Sequence, residues 1–359
     1  MIENIAKYFK GKKVFLTGHT GFKGSWLLSW LHLLGADVKG YALALENDID
    51  LYNQIKGDSI CDSVIADIRD LERLKEELLN FQPDYVFHLA AQPLVRLSYN
   101  IPFDTFTVNV LGTTNVLEAL RSLSKPCVAV IITTDKVYYN QEKHYFYNEN
   151  DRLGGYDPYS ASKAAAEIVI DSYRKSFFNP LHYSKHYKSI SVARAGNVIG
   201  GGDWAKDRII PDIIRALFNN EIIMVRNPTA IRPWQHVLEP LGGYLTLAAK
   251  QFIDPIKFAD SYNFGPYPND NLTVEQIVKE SILIWGSGNY QQPVLNDAPH
   301  EAGLLQLDIN KAISMLEWKP KFSADMAISH TINWYKENQL NNRKAWDLIE
   351  SDIKFYCGK

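Results

Sequence analysis

A phenol and an amine lie four positions apart in the segment Tyr159-Ser-Ala-Ser-Lys163, and together they could remove the proton of an alcohol that is oxidised by loss of hydride. If the segment is helical, both side chains lie on one face of the helix. A nearby ammonium lowers the pKa of a phenol, and the phenolate can remove a hydroxyl proton while hydride leaves the same carbon. Because Y-x-x-x-K is common by chance, its weight depends on the residues that accompany it.

A second group of reactive side chains, Thr133-Thr134-Asp135-Lys136, follows a short apolar run that predicts a strand. In doubly wound sheets, ligands bind outside the carboxyl ends of the strands. Thr134 could therefore hydrogen-bond the same hydroxyl as Tyr159, and turn geometry could aim Asp135 and Lys136 at one substrate. From spacing alone, a solvated pair in a turn would explain Asp135 and Lys136 better.

Three glycines lie in Thr17-Gly18-His-Thr20-Gly21-Phe22-Lys-Gly24, between a predicted strand and a predicted helix. Gly18 permits a tight turn, Gly21 lets the backbone approach a diphosphate, and Gly24 lets the helix pack on the strand. The helix N-terminus offers N–H groups and the positive end of its dipole to phosphates. The alternative is a purely structural turn. The loop residues expected at a dinucleotide cofactor are Gly18, Thr20, Gly21, Phe22 and Gly24.

The region after the second predicted strand lacks the acidic residue that usually binds the adenosine ribose. Glu46 and Asp48 are near, but neither lies at the expected position, and no arginine there signals a 2′-phosphate. NAD is therefore favoured over NADP. Asp67 and Ile68 end the third predicted strand, where the Asp67 carboxylate could accept a hydrogen bond from the adenine amine. Alternatively, Asp67 caps the helix predicted over 71–80.

Apolar runs and helical patterns alternate over the first 200 residues, which predicts an α/β fold with a Rossmann-type doubly wound parallel sheet. The predicted strands are 14–16, 38–43, 64–66, 85–91, 128–132 and 190–193, and helical patterns cover 71–80, 104–123 and 159–177. After Gly200 the alternation stops. There the patterns predict helices near 208–219 and at 237–250, 273–286 and 309–316, with a strand at 262–264.

Composition excludes several classes of protein. The chain has 359 residues, of which 46% are hydrophobic and 22% charged, and a net charge of −3, so a basic surface for nucleic acid is not expected. Three separated cysteines favour a reducing compartment. The start resembles no signal peptide, and no uncharged apolar run could form a membrane-spanning helix, so we expect a cytoplasmic protein. His182 and His186 have zinc-site spacing but no accompanying carboxylate, and we expect no metal.

Four motifs in a fixed order carry a resemblance to a known family. T-G-x-x-G-F-x-G, His88-Leu-Ala-Ala91, T-T-D-K-V-Y and P-Y-S-A-S-K resemble the extended short-chain dehydrogenase/reductase superfamily over nearly the whole chain. The segments 195–204 and 231–240 resemble those nucleotide-sugar 4,6-dehydratases that act on CDP-glucose. Asp-Lys after the active threonine does so too, because related dTDP-glucose and GDP-mannose dehydratases have Asp-Glu or a different acid there.

The resemblance implies an internal oxidation, elimination and reduction that converts CDP-D-glucose to CDP-4-keto-6-deoxy-D-glucose and water. Tyr159, with Lys163 and Thr134, takes the proton of the 4-hydroxyl as hydride passes from C4 to NAD. Asp135 is the acid that protonates the departing 6-hydroxyl, and Lys136 occupies the position of the usual glutamate base at C5. Hydride then returns to C6, and C5 is reprotonated. The product serves deoxysugar synthesis for cell-surface polysaccharide.

The resemblance and the charge of the substrate extend the list of expected site residues. A diphosphate favours arginine forks, for which Arg208 and Arg232 are the candidates. The family likeness adds Asn197 near the sugar, Trp204 at the nucleotide and Glu301, beside His300, at the nucleotide end. Further cofactor residues are expected at Asp67, Ile68, Leu89, Ala90, Ala91, Asn109, Thr133, Tyr159 and Lys163.

We expect residues 1–200, joined by 237–265, to form the NAD-binding domain. Residues 201–236 and 266–330 form a nucleotide-sugar lobe, and 331–359 form a helical tail. The family likeness also implies a homodimer through a four-helix bundle of the helices at 104–123 and 159–177, with a tetramer as a further assembly. The alternatives are another nucleotide-sugar 4,6-dehydratase, a 4-epimerase, or a catalytically silent nucleotide sensor.

Overall fold

Parallel strands position the predicted site residues at one edge of a central sheet. The computed structural model describes residues 4–45, 47–270, 272–293 and 305–358, and only the backbone of Arg232. Within these ranges the sheet has seven strands: β1 (Lys13–Thr17), β2 (Asp37–Ala42), β3 (Asp62–Ile65), β4 (Tyr85–His88), β5 (Cys127–Ile132), β6 (Lys188–Ala195) and β7 (Ser261–Phe264). Their order is β7-β6-β5-β4-β1-β2-β3, and every pairing is parallel. The predicted doubly wound sheet is confirmed.

Helices cover both faces of the sheet. They are α1 (Ala6–Phe9), α2 (Phe22–Leu33), α3 (Leu51–Gln54), α4 (Leu71–Phe81), α5 (Val95–Asn100), α6 (Pro102–Phe106), α7 (Gly112–Ser122), α8 (Pro158–Ser176), α9 (Tyr183–His186), α10 (Ile209–Phe218), α11 (Leu238–Ile253), α12 (Val274–Trp285), α13 (Ala324–Gln339) and α14 (Ala345–Tyr356). On one face Phe15 and Val86 pack with α4, α7 and α8. On the other, Leu16 and Phe87 pack with α2 and α11. Burial on both faces explains the continuous apolar runs of β1, β4 and β5.

Three elements differ from the sequence-based prediction. The short helix expected at 309–316 is largely a π turn at Ala312–Leu316, outside the lining of the cavity described below. The helix expected over 104–123 is interrupted by a π turn at Thr107–Leu111, between α6 and α7. The strand expected over 85–91 ends at His88, because the amides of Leu89 and Ala90 turn to donate to the Thr17 hydroxyl, each at 3.1 Å. The last two departures lie beside that cavity, and π turns are frequent at functional sites.

Short paired segments organise the residues beyond Gly200. Val198–Ile199 pairs with Gln235–His236, Ile223–Met224 with Tyr290–Gln291, and Ile231–Arg232 with Leu272–Thr273. The chain returns to the sheet through α11 and β7, where Tyr262 pairs with Ala193 of β6. In the described ranges, no helix combines the length and apolar character needed to cross a membrane.

Candidate active site

The glycine turn between β1 and α2 is shaped for a close approach. Gly18 has φ +76°, and a Cβ there would lie 2.7 Å from the amide nitrogen of Ala90. A Cβ on Gly24 would lie 2.0 Å from the carbonyl oxygen of Gly18, so only glycine fits. Helix α2 begins after Gly21, which has no side chain to cap it, so the N–H groups of its first turn remain available to phosphate oxygens. The turn therefore fits the diphosphate of a dinucleotide.

A cavity of about 1470 Å³ opens where β1, β4, β5 and β6 end. Its volume exceeds the roughly 300–1,000 Å³ of a typical small-molecule site, so it has room for a dinucleotide and a second ligand. The predicted residues that line it are Gly18, Thr20, Gly21, Phe22, Gly24, Asp67, Ile68, Leu89, Ala90, Ala91, Thr133, Thr134, Lys136, Tyr159, Lys163, Asn197, Trp204 and Arg208.

Helix α8 carries the phenol and the amine into this cavity. It begins with Pro158 after Asp157, whose carboxylate accepts hydrogen bonds from the backbone and the hydroxyl of Ser160. Burial raises the pKa of Tyr159 to about 12, and a hydrogen bond with Thr134 opposes this. Burial lowers the pKa of Lys163 to about 8, and the Glu167 carboxylate opposes that shift. The Lys163 ammonium donates to the carbonyl oxygen of Ile132 at 3.4 Å.

In the turn after β5, the acid Asp135 is buried, whereas the amine-bearing Lys136 lines the cavity. Asp135 is only 3% exposed, and the Thr134 hydroxyl donates to its carboxylate at 2.9 Å. Lys136 lines the cavity, and its amide donates to the Thr134 hydroxyl at 3.3 Å. A Cβ on Gly196 would lie 3.1 Å from the Asp135 carboxylate, so glycine keeps the space above the acid open. Burial of Asp135 argues against a solvated turn.

The sequence-based prediction did not include two groups near this turn. Lys23, in the first turn of α2, lines the cavity with its ammonium 3.5 Å from the Tyr244 hydroxyl. Burial, and then the charge of Arg208, lower the pKa of Lys23 to about 7. Its place inside the glycine motif was the available signal.

The second group is a buried ion pair between Glu167 and Arg194. The Thr133 hydroxyl donates to Glu167 at 2.6 Å, and Arg194 also donates to the Tyr138 hydroxyl at 2.8 Å. This network ties α8 to the ends of β5 and β6. The only sequence signal was the position of Glu167 one helical turn after Lys163.

Several expected site residues lie apart from the cavity or outside the described residues. The Asn109 amide is bonded to Gln92 and Ser162 behind the cavity wall. Asp135 also lies behind the wall and reaches it through Thr134. The side chain of Arg232, and Glu301 with its neighbour His300, fall outside the described residues.

Asp67 lies at the cavity, but its carboxylate is occupied by Arg69, with contacts of 2.6 to 3.1 Å. The alternative role as a helix cap is wrong, because Asp70 caps α4 through the amide of Arg73. An adenine amine at this place would have to share the Asp67 carboxylate with Arg69.

The segment after β6 forms the cavity wall that faces the turn after β5. Arg208 donates to Asp203 at 2.8 Å, and this carboxylate raises the pKa of Arg208. Trp204 packs edge-on against Tyr335 of α13. Across the described ranges, no three histidine, cysteine or carboxylate side chains cluster closely enough to hold a metal ion.

Known proteins share this architecture and much of this sequence. A CDP-glucose 4,6-dehydratase from Salmonella typhimurium strain LT2 is 47% identical over 352 residues, covering 98% of this chain and 95% of the relative. A dTDP-glucose 4,6-dehydratase structure from Streptomyces venezuelae superposes with a TM-score of 0.77 at 22% identity, covering 91% of this chain and 98% of the other. A Bacillus anthracis dTDP-glucose 4,6-dehydratase in complex with NAD gives 0.75 at 20% identity, covering 92% and 98%. Since residues 15–331 match the model of the GDP-mannose 4,6 dehydratase family, the chain belongs to that family.

Proposed function

We propose that this chain is an NAD-dependent hydro-lyase that converts CDP-D-glucose to CDP-4-keto-6-deoxy-D-glucose and water. The observation that carries the proposal is the meeting of Tyr159, Lys163, Thr134 and Lys136 at one cavity, with the Asp135 carboxylate held against Thr134 behind the cavity wall. The first pair suits alcohol oxidation, and the second supplies the acid and base that an elimination needs. The choice of CDP-glucose is supported by the Salmonella relative.

NAD held by the glycine turn and the start of α2 would supply a hydride acceptor for C4 in the oxidation step and a hydride donor for C6 in the reduction step. Tyr159 takes the proton of the 4-hydroxyl. Burial raises the pKa of Tyr159 and so favours the neutral phenol before substrate and cofactor bind. The Thr134 hydrogen bond and the positive charge of Arg208 lower the pKa of Tyr159 and so favour proton release.

In the elimination step, Lys136 removes the proton at C5, and Asp135, which reaches the cavity through Thr134, is the source of the proton that leaves with the C6 hydroxyl as water. The Thr134 hydroxyl donates to the Asp135 carboxylate at 2.9 Å and also bonds Tyr159, which fixes the acid relative to the phenol. Lys136 is the less enclosed of the two and approaches from the cavity side.

We further propose a cytoplasmic homodimer that pairs α6–α7 and α8 across a two-fold axis. Phe103 is 78% and Ile168 is 61% exposed, an apolar excess that a helix partner would cover. We also propose that residues 1–200 and 237–265 form an NAD-binding domain, that 201–236 and 266–330 form a substrate lobe, and that 331–359 form a helical tail.

The proposal is tested by incubating the protein and NAD separately with CDP-, dTDP-, UDP- and GDP-glucose. The masses of the products are then measured by mass spectrometry. We expect loss of one water from CDP-glucose, and none with the matched variant Tyr159→Phe. A product of unchanged mass would indicate a 4-epimerase, and turnover of dTDP-glucose alone would overturn the choice of base.

A further inference from the structure

Two arginines face each other across the mouth of the cavity and share one carboxylate. Arg96 comes from α5, on the side of the parallel sheet, and Arg226 follows the short strand Ile223–Met224 of the segment beyond Gly200. Asp207, just before α10, lies between them. Its Oδ1 is 2.7 Å from Nη1 of Arg226 and 3.5 Å from Nη1 of Arg96.

All three side chains line the cavity and remain partly open to solvent. The exposed fraction is 31% for each arginine side chain and 49% for that of Asp207. Pairs as exposed as these contribute little to stability, so a stronger anion could replace the carboxylate at small cost. Arg226 has a second carboxylate, that of Asp212, only at 3.8 Å.

The chemistry of this pair matches a diphosphate better than it matches a single carboxylate. Guanidinium groups bind phosphate oxygens through two parallel N–H donors, and charge-assisted bonds of this kind are the strong ones. Here both contacts converge on the same carboxylate oxygen of Asp207, and one of them is long. A diphosphate offers separate oxygens to Arg96 and Arg226.

We propose that Arg96 and Arg226 bind the diphosphate of the nucleotide-sugar substrate, and that Asp207 holds this place until the substrate displaces it. This inference rests on the proposed function. It adds Arg96 and Arg226 to the expected diphosphate ligands and makes Asp207 an internal competitor that lowers substrate affinity.

The diphosphate bound by these arginines could belong to the cofactor or to the substrate. The position of Arg226 favours the substrate. Arg226 lies in the segment beyond Gly200, whereas the free N–H groups suited to the cofactor diphosphate lie at the start of α2. Binding measurements with each ligand separate the two sources.

The test is calorimetric titration of the full chain with CDP, with cytidine, and with NAD. For Asp207→Asn we expect CDP to bind about two- to fivefold more tightly, because an exposed competing pair is removed. For Arg226→Met and for Arg96→Met we expect roughly tenfold weaker CDP binding. Cytidine and NAD affinities are expected to stay unchanged in all three variants.

A matched control is Glu317→Gln, which removes one negative charge from the exposed pair with Lys250. It should leave CDP binding unchanged. In the Arg226→Met background, Asp207→Asn should gain less than it does alone, a coupling that a merely structural role would not produce.

If the wild-type protein turns over CDP-glucose but Asp207→Asn binds CDP no more tightly than the wild type, the inference is wrong and the proposed function stands. A change in NAD affinity in place of CDP affinity also overturns it. If the wild-type protein binds neither CDP nor CDP-glucose, the proposed function fails, and this inference fails with it.

Discussion

Replacing Glu167 by glutamine is expected to destabilise the folded chain by about 3 kcal/mol, because a buried guanidinium loses its anion. The Glu167 carboxylate accepts hydrogen bonds from Nε of Arg194 at 2.8 and 2.9 Å and from the Thr133 hydroxyl at 2.6 Å. The side chains of Glu167 and Arg194 are only 2% and 4% exposed. Water therefore cannot replace the lost partner.

The magnitude follows from what remains after the substitution. Removing one member of a buried ion pair typically costs about 3–5 kcal/mol. Glutamine keeps the size of Glu167 and one acceptor oxygen, and Arg194 keeps its bonds to the Tyr138 hydroxyl and the Glu149 carbonyl. The lower end of that range is therefore expected, still a large share of the roughly 5–15 kcal/mol that stabilises a typical fold.

Urea unfolding measures this loss as a lower midpoint at constant slope. The matched control is Glu350→Gln, which breaks an exposed pair with Lys354 and should cost less than about 1 kcal/mol. Replacing both members of the buried pair, Glu167→Leu with Arg194→Met, should recover most of the stability. If Glu167→Gln costs no more than Glu350→Gln, the reasoning about the buried pair is wrong.

The same variant has a second readout in its pH profile. The Glu167 charge raises the pKa of Lys163 against the stronger effect of burial, which leaves it at about 8. Without that charge the pKa falls further, so Lys163 loses its proton at lower pH. The alkaline fall of kcat/KM is expected to shift to lower pH in Glu167→Gln and to stay in place in Glu350→Gln.

Three further predictions concern other parts of the chain. Burial lowers the pKa of His88 from 6.5 to about 3. Between these pH values His88 is protonated in the unfolded chain but stays neutral in the folded chain. The contribution of His88 to stability should therefore fall as pH drops from about 6.5 toward 3, and a urea midpoint that changes between about pH 7.5 and pH 5 by the same amount in His88→Asn as in the wild-type protein would contradict this. Gly24→Ala should cost about 1–3 kcal/mol and weaken NAD binding, whereas Gly265→Ala, whose Cβ would meet only contacts of 3.6 Å or more, should do neither in thermal unfolding and NAD titration. Lys136→Met should stop water elimination while 4-oxidation stays detectable, and normal entry of solvent deuterium at C5 would remove Lys136 from its role.

The centre of the sheet was predictable because β1, β4 and β5 are buried on both faces. Each of these strands contains a short apolar run in the sequence, and parallel pairing follows from the helices between the runs. The interruption at Thr107–Leu111 was not predictable, because the residues of a π turn have no distinctive pattern. The short paired segments beyond Gly200 were missed because two residues are too few to show a period.

The site was predictable where a residue type is tied to a conformation or a motif. Gly18, Gly24 and Tyr159 belong to that class, and the structure brings them to one cavity. The pair of Glu167 and Arg194 was not predictable, since nothing in the sequence shows that residues on α8 and β6 meet. The shared carboxylate of Asp207 likewise depends on long-range folding.

The central claim is that one site oxidises C4 and reduces C6 of the same sugar through one bound cofactor. The direct measurement is incubation of the protein and NAD with CDP-glucose carrying deuterium at C4, with the product analysed by NMR and mass spectrometry. The account predicts a product that has lost one water and carries the deuterium at C6. A product that retains the oxygen at C6, or deuterium released to solvent, would contradict it.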